Sequence, residues 1–198
     1  MRNIFFVRHA APLFPNGEKY CLGQADFPLS DEGRMQAILL KHQSKEFFSG
    51  KNVFSSRLTR AKETADFLSP FVTVVDGLEE MHAGLWDGLS FSEIEKGWPD
   101  IFAKRDGDKN IPIPGAEALE DGLSRFKKAV MVCLDSSESD IVIVSHATVI
   151  QSFLAYCAST PLGESRIYKL PYCSVSKVSF DGEYHMEYYG KTQLADII

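Results

Sequence analysis

The chain has few cysteines, and their spacing pairs none of them. Its four are Cys21, Cys133, Cys157 and Cys173. No two form Cys-x-x-Cys, which leaves zinc-ribbon and thioredoxin-type readings without support. Cys133 and Cys157 fall at apolar helix positions, where a buried free thiol is expected. Long apolar runs are lacking too. No stretch approaches the ~20 residues of a spanning helix, and Met1-Arg2-Asn3 leads straight into a strand-like segment rather than a secretory signal. A reducing cytoplasm is the expected location, with no membrane partner. Nor is there surplus positive charge: Lys+Arg number 21 against 27 Asp+Glu, a net charge of -6. That balance argues against nucleic acid or an anionic membrane surface as partner. Repeats and low-complexity tracts are absent.

What is present is an alternation of strand and helix signals. At 198 residues, 44% hydrophobic and 24% charged, one domain over 1–198 is expected. Asn3–Arg8 reads as a buried strand, followed by an irregular segment, Ala10–Pro28. Ser30 is placed to cap a helix with Asp31 and Glu32 in its first turn. Asn52–Ser55 reads as a short strand, Leu58–Leu68 as a helix with Ser56 as cap, and Val72–Val75 as a third strand. From 77 to 115 the pattern is glycine-bearing and irregular, with a short helix at Ser92–Lys96. This segment is expected to lie over the strand ends as an insertion. Leu119, Leu123, Phe126, Val130 and Cys133 step at helical spacing. Strand Ile141–Val144 and helix Val149–Ala158 follow, and Asp181-Gly182 between two strand-like runs signals a hairpin. The expected architecture is α/β: a three-layer α/β/α sandwich on a mainly parallel sheet.

Two strands end in histidine. Ile4–Val7 runs into Arg8-His9, and Ile141–Val144 into Ser145-His146. Parallel strands carry ligand sites at their carboxyl ends, so one shared site is expected. A neutral imidazole is a competent nucleophile near pH 7, and Arg8 offers a planar fork for phosphate oxygens. The bland alternative is a strand-end histidine satisfied by backbone beside a surface arginine. Arg57 and Arg60 open a helix just after another strand, where N–H groups and the dipole favour anions; a solvated basic face is the alternative. In Leu78–Gly88, Glu79 and Glu80 are both candidates to protonate a departing alkoxide. A pocket formed with Leu85 and Trp86 would help a carboxyl keep that proton.

Taken in order, these blocks resemble the histidine phosphatase superfamily, its phosphoglycerate-mutase-like branch. The motifs are Arg8-His9-Ala10; Gly23-Gln24-Ala25-Asp26-Phe27-Pro28-Leu29 with Gly33, Gln36 and Ala37; Ser55 to Ala65; Glu80, Gly84 and Trp86-Asp87-Gly88; Pro114-Gly115-Ala116-Glu117; and Ser145-His146-Ala147. The resemblance runs from residue 4 to about 150. It implies that His9 is the phosphorylated nucleophile and that Arg8 and Arg60 clamp the phosphate. It further implies that His146 holds positive charge beside the transferring group and that Glu80, not Glu79, is the proton donor. Arg57, Asn16, Gln24, Ala147 and Trp86 are further candidates for phosphate or substrate binding. Alanines stand where the family has glycine after each histidine, which is tolerable if φ is negative there. Pro12 stands where the family often has a hydroxyl. Asn16 or a backbone N–H is the expected replacement.

The expected activity is phosphomonoester hydrolysis through phosphohistidine on a small phosphorylated metabolite, without metal or other cofactor, in a monomer or homodimer. The resemblance points towards α-ribazole-5′-phosphate phosphatases, and Tyr20, Phe27, Trp86 and Phe91 are candidates to line an apolar pocket for such a leaving group. A phosphoglycerate mutase would need extra basic residues. Lys96, Lys104, Arg105 and Lys109 are interleaved with Asp100, Asp106 and Asp108, a mixture that reads as solvated surface. A weakly active phospho-ligand binding module is the other alternative.

Overall fold

The structure is a computed structural model that describes residues 1–108 and 110–193, so Lys109 lies outside it. The strands are β1 (Arg2–Arg8), β2 (Asn52–Ser55), β3 (Val72–Val74), β4 (Ile141–Ser145), β5 (Val175–Phe180) and β6 (Tyr184–Lys191). They form one sheet in the order β3-β2-β4-β1-β5-β6. The first four are mutually parallel, and β5 and β6 add an antiparallel edge. The helices are α1 (Asp31–Ser44), α2 (Thr59–Leu68), α3 (Phe91–Gly97), α4 (Pro99–Gly107), α5 (Leu119–Asp135) and α6 (Ala147–Cys157).

The layers follow from strand alternation. Successive side chains point to opposite faces, and a parallel sheet is covered on both. Ile4, Phe6, Ile141 and Ile143 therefore enter one core with Phe126, Val130 and Cys133 of α5 and Val149, Ile150 and Phe153 of α6. Phe5, Val7, Val142 and Val144 enter a second core with Ala37 and Leu40 of α1 and Ala61 and Ala65 of α2. This is why β1 and β4 read as unbroken apolar runs.

Several element ends differ from the sequence reading. Helix α2 starts at Thr59 with Leu58, not Ser56, at the cap position. The Ser56 hydroxyl accepts from the Leu58 N–H one residue short of the helix, and Asp26 of the preceding loop takes the Thr59 N–H at 2.7 Å. Helix α4 has no counterpart among the expected elements. Pro99 opens it, in the position where a missing N–H costs nothing. By contrast, Ser30 accepts from the Gly33 N–H as expected. A Cβ on Gly33 would lie 2.0 Å from the Ala11 carbonyl oxygen, so only glycine lets α1 approach the segment after His9.

Candidate active site

Register brings the two histidines together. Arg8 pairs with Ser145 across β1 and β4, so the next residue of each strand enters the same space. The His9 and His146 ring centroids are 5.1 Å apart, and both side chains are buried. His9 Nδ1 lies 2.7 Å from the Ala10 carbonyl oxygen. A carbonyl only accepts, so Nδ1 carries the proton and Nε2 keeps its lone pair. His146 Nε2 shares a hydrogen bond with Ser56 Oγ at 2.9 Å, and its Nδ1 has no partner among the described residues. Burial, then Arg60 and Arg8, hold His9 well below the ordinary imidazole value. Burial, then Arg60, His9 and Arg8, do the same to His146. The groups of the chain alone therefore keep both rings neutral. The positive charge expected on His146 would need a bound anion to offset that burial.

Two guanidiniums flank this pair. Arg60 is fully buried. Its Nη1 and Nη2 donate to the carbonyls of Ala25 and Gly23 at 2.7 and 2.8 Å, and its Nε is unpartnered. Arg8 donates through Nη1 to the Leu170 carbonyl, and its Nε is likewise unpartnered. Each guanidinium has five N–H groups, so both keep donors to spare. Burial is the main influence lowering both from the ordinary arginine value, with nearby Glu80 acting the other way. The Ala10 N–H is tied to Thr64 Oγ1 of α2 at 3.0 Å, which fixes the peptide after His9. Neither Ala10 nor Ala147 has positive φ, which explains why alanine is tolerated after each histidine.

Tyr172 was not singled out from the sequence. Its ring lies 4.0 Å beneath the Arg8 guanidinium and 5.6 Å from His9. It is carried by the loop before β5, where Cys173 adopts φ 57° and its N–H returns to the Arg8 carbonyl. No motif marks this loop. The only signal available was its position just ahead of the strand that pairs with β1.

The two glutamates separate clearly. Glu79 is bound by Arg57 Nε at 2.8 Å and by the Gly77 N–H, with Arg125 at 3.6 Å. Arg57 is thus committed to Glu79 and is more than half exposed. Glu80 is buried, and its carboxyl accepts three backbone N–H bonds: from Met81 at 2.9 Å, Thr148 at 2.9 Å and Val149 at 3.1 Å. The last two are the first turn of α6, directly after His146. Its surroundings are therefore polar backbone, not the apolar pocket with Trp86 that was expected. Gln24 donates from its side chain to the Glu80 carbonyl at 3.2 Å. Asp87 accepts the N–H groups of Gly23, Gln24 and Ala25. Asp87 thereby organises the loop whose carbonyls hold Arg60.

A cavity of about 610 Å³ adjoins Glu80, Gly23 and Thr148. Its apolar wall is Leu22, Met81, Ile111, Ile113 and Leu119. The aromatic lining expected from the sequence is not there. Tyr20 contacts Phe14 and Phe27, whereas Trp86 and Phe91 contact Phe102. Trp86 is buried beneath Arg105. Arg105, read from the sequence as solvated, instead lines the cavity. Asn16 is exposed on a turn, and no hydrogen bond among the described residues ties it to the histidines. Pro12 bridges Leu29. Ala147 opens α6, and its methyl supplies no donor.

Comparison with known proteins agrees with this geometry. The sequence model of the histidine phosphatase superfamily (branch 1) matches residues 4–188, and the chain belongs to that family. Fructose-2,6-bisphosphatase of Saccharomyces cerevisiae (strain ATCC 204508 / S288c) is 30% identical over 178 residues. The match covers 88% of this chain but only 38% of that protein. The structure of Bacillus stearothermophilus YhfR superposes with a TM-score of 0.84 at 26% identity, covering 96% of this chain and 98% of that one. The alpha-ribazole phosphatase from Shigella flexneri shares the fold, with a TM-score of 0.82 at 20% identity over 96% of each chain. Among the described residues, no helix is long and apolar enough to cross a membrane.

Proposed function

We propose that this chain hydrolyses small phosphomonoesters through a phosphohistidine formed on His9. The observation that carries the reading is the His9 tautomer: Nδ1–H is spent on the Ala10 carbonyl, and Nε2 keeps its lone pair on a ring that feels the charge of Arg60 and Arg8, each with an unpartnered Nε. In the first half-reaction, Nε2 attacks phosphorus and the ester P–O bond breaks. Glu80 gives its proton to the leaving alkoxide. In the second, Glu80 takes a proton from water as that water attacks the phosphohistidine, which releases phosphate and restores both groups. Arg8, Arg60 and His146 stabilise charge on the transferring oxygens, where pre-set donors are most effective. Gln24 and Asp87 hold this frame together. We assign Arg57 to positioning Glu79, since its guanidinium is already paired. The segment 77–115 acts as the cover of the site, a reading supported by its contribution of Glu80, Arg105 and Ile111 to one cavity.

The four cysteines are free, which supports a reducing cytoplasm as location. α-Ribazole 5′-phosphate is the particular substrate suggested from the sequence. The aromatic contacts it would favour lie away from the cavity, so it belongs in a panel with sugar phosphates, 3-phosphoglycerate and nucleotides.

The test is hydrolysis of p-nitrophenyl phosphate, with and without chelator, by the wild type and His9→Ala, combined with acid-quench trapping of radiolabelled phosphoenzyme. Chelator-resistant turnover and label, both lost in His9→Ala, are expected. Equal rates in the two proteins would remove His9 as nucleophile. Stable label returned to an acceptor acid rather than water would make the enzyme a mutase.

A further inference from the structure

We infer that Ser56 is a positioning residue for His146. Its hydroxyl donates to His146 Nε2, which leaves the ring's single proton on Nδ1 to meet the transferring phosphoryl oxygens. The inference rests on the phosphatase reading and deepens it, because it places the working proton of His146 and names the residue that fixes it. Ser56, His146 and His9 directly follow the last residues of β2, β4 and β1, which lie side by side in that order. The backbone holds this row in step. The Ser56 N–H donates to the Val144 carbonyl at 3.1 Å, and the His9 N–H to the Ser145 carbonyl at 3.0 Å. His146 is therefore seated between a hydroxyl and the nucleophile, and both Ser56 and His146 are fully buried.

The direction of the Ser56–His146 bond follows from the protons available. A serine hydroxyl has one proton to give and two lone pairs. One lone pair of Ser56 Oγ takes the Leu58 N–H at 3.2 Å. The other hydrogen-bond partner of Oγ among the described residues is His146 Nε2, at 2.9 Å. Were Nε2 the donor, Oγ would accept twice and its own buried proton would find no acceptor. Nδ1 would then offer a lone pair where phosphate oxygens need a donor. Leaving such buried groups unmatched is costly. With the hydroxyl as donor, the Leu58 proton goes to Oγ and the Oγ proton to Nε2, and the ring keeps its own proton on Nδ1. Nδ1 is buried without a partner among the described residues, on a ring whose centroid is 5.1 Å from that of His9.

His146 then serves as a neutral donor. A hydrogen bond given to Nε2 favours the unprotonated ring, in the same sense as the burial and the arginine charges that already keep it neutral. Positive charge beside the transferring oxygens comes from Arg8 and Arg60, and His146 adds a directed N–H.

Heteronuclear NMR of the wild type carrying isotope-labelled histidine reads this proton directly. The His146 ring, identified by its loss in His146→Asn, should be protonated on Nδ1 and bare on Nε2 near neutral pH. Ser56→Ala should show a mixture of the two tautomers. Its kcat for alkyl phosphates should fall about tenfold or more, short of the ~10²–10³ cost of losing an oxyanion donor outright, with KM changed less. Asparagine puts an amide N–H near the Nδ1 position of His146, and glutamine puts one near Nε2. His146→Asn should therefore keep at least about tenfold more kcat than His146→Gln. A wild-type ring protonated on Nε2 would overturn the positioning role. So would a single Nδ1–H tautomer or an unchanged kcat in Ser56→Ala, or a glutamine variant as active as the asparagine one. If Ser56→Ala fails to fold, the wild-type tautomer and the Asn-to-Gln ratio still decide. A wild type with the Nδ1 proton that turns over no ester, p-nitrophenyl phosphate included, would overturn the phosphatase reading and with it the use assigned to that proton.

Discussion

Glu80 closes on the backbone of Thr148. Its Oε2 accepts the Thr148 N–H at 2.9 Å, while Oε1 takes Val149 at 3.1 Å. The proposed acid–base group is thus fastened to the helix that begins at His146, and the two cannot shift independently. Glu80→Gln removes the exchangeable proton and turns an amide NH₂ towards N–H donors. For alkyl phosphates, whose leaving group needs a proton, kcat should fall about 10²- to 10⁴-fold. For p-nitrophenyl phosphate, whose leaving group does not, the loss should be much smaller. Steady-state rates across leaving groups of graded pKa read this out, and equal losses across the series would count against Glu80 as donor. The same variant should cost about 1 kcal/mol of stability through the lost helix cap.

Asp87 reaches the phosphate site through the backbone, and its charge also favours that of Arg60. It gathers the N–H groups of residues 23–25, and the Gly23 and Ala25 carbonyls then receive Arg60. Asp87→Ala leaves these N–H groups without an acceptor, at a cost of about 1–3 kcal/mol in denaturant melts. Because Arg60 loses its orientation, inhibition by inorganic phosphate should weaken together with kcat/KM. If phosphate inhibition were unchanged while stability fell, Asp87 would support the loop without positioning the arginine.

The sequence made some of this legible and hid the rest, for physical reasons. Strands β1 and β4 are covered on both faces, so their apolar runs are continuous, and the residues ending them were candidates at once. Their adjacency follows from a sheet order in which β4 enters between β1 and β2, which no local pattern encodes. Arg105 illustrates the opposite case. Its helix mixes lysine, arginine and aspartate as a solvated face would, and the folding back of α4 over Trp86 is a tertiary fact. Glu80 stands out in the sequence, but its setting does not, because backbone N–H groups from α6 have no signature in sequence.

Tyr172 is the residue the motifs did not reveal. Its ring supports the Arg8 guanidinium at 4.0 Å and favours the charge on it. Cation–π contacts of this kind contribute about 0.5–2 kcal/mol. Tyr172→Ala should therefore raise KM for phosphomonoesters about 2- to 30-fold, while Tyr172→Phe keeps the ring and loses only part of that. A Phe variant as impaired as the Ala variant would assign the effect to the hydroxyl instead.

The buried histidine pair makes stability depend on pH in a defined direction. Both rings are held well below the ordinary imidazole value of 6.5, chiefly by burial and next by Arg60. Below about pH 6.5 the unfolded chain takes up protons on both rings while the folded protein does not, so protonation favours unfolding. The stability present above 6.5 is therefore lost as pH falls from 6.5 towards the depressed folded values. Its slope approaches about 2.7 kcal/mol per pH unit when both rings contribute fully. Thermal melts between pH 7.5 and 5 should show this fall, and the double variant His9→Asn, His146→Asn should flatten it. The same depression keeps His9 nucleophilic in mild acid, so kcat/KM should show no loss attributable to His9 near pH 6.5. A slope identical in wild type and double variant would assign the acid sensitivity to other groups, and a sharp drop in labelled phosphoenzyme at pH 6.5 would contradict the neutral His9.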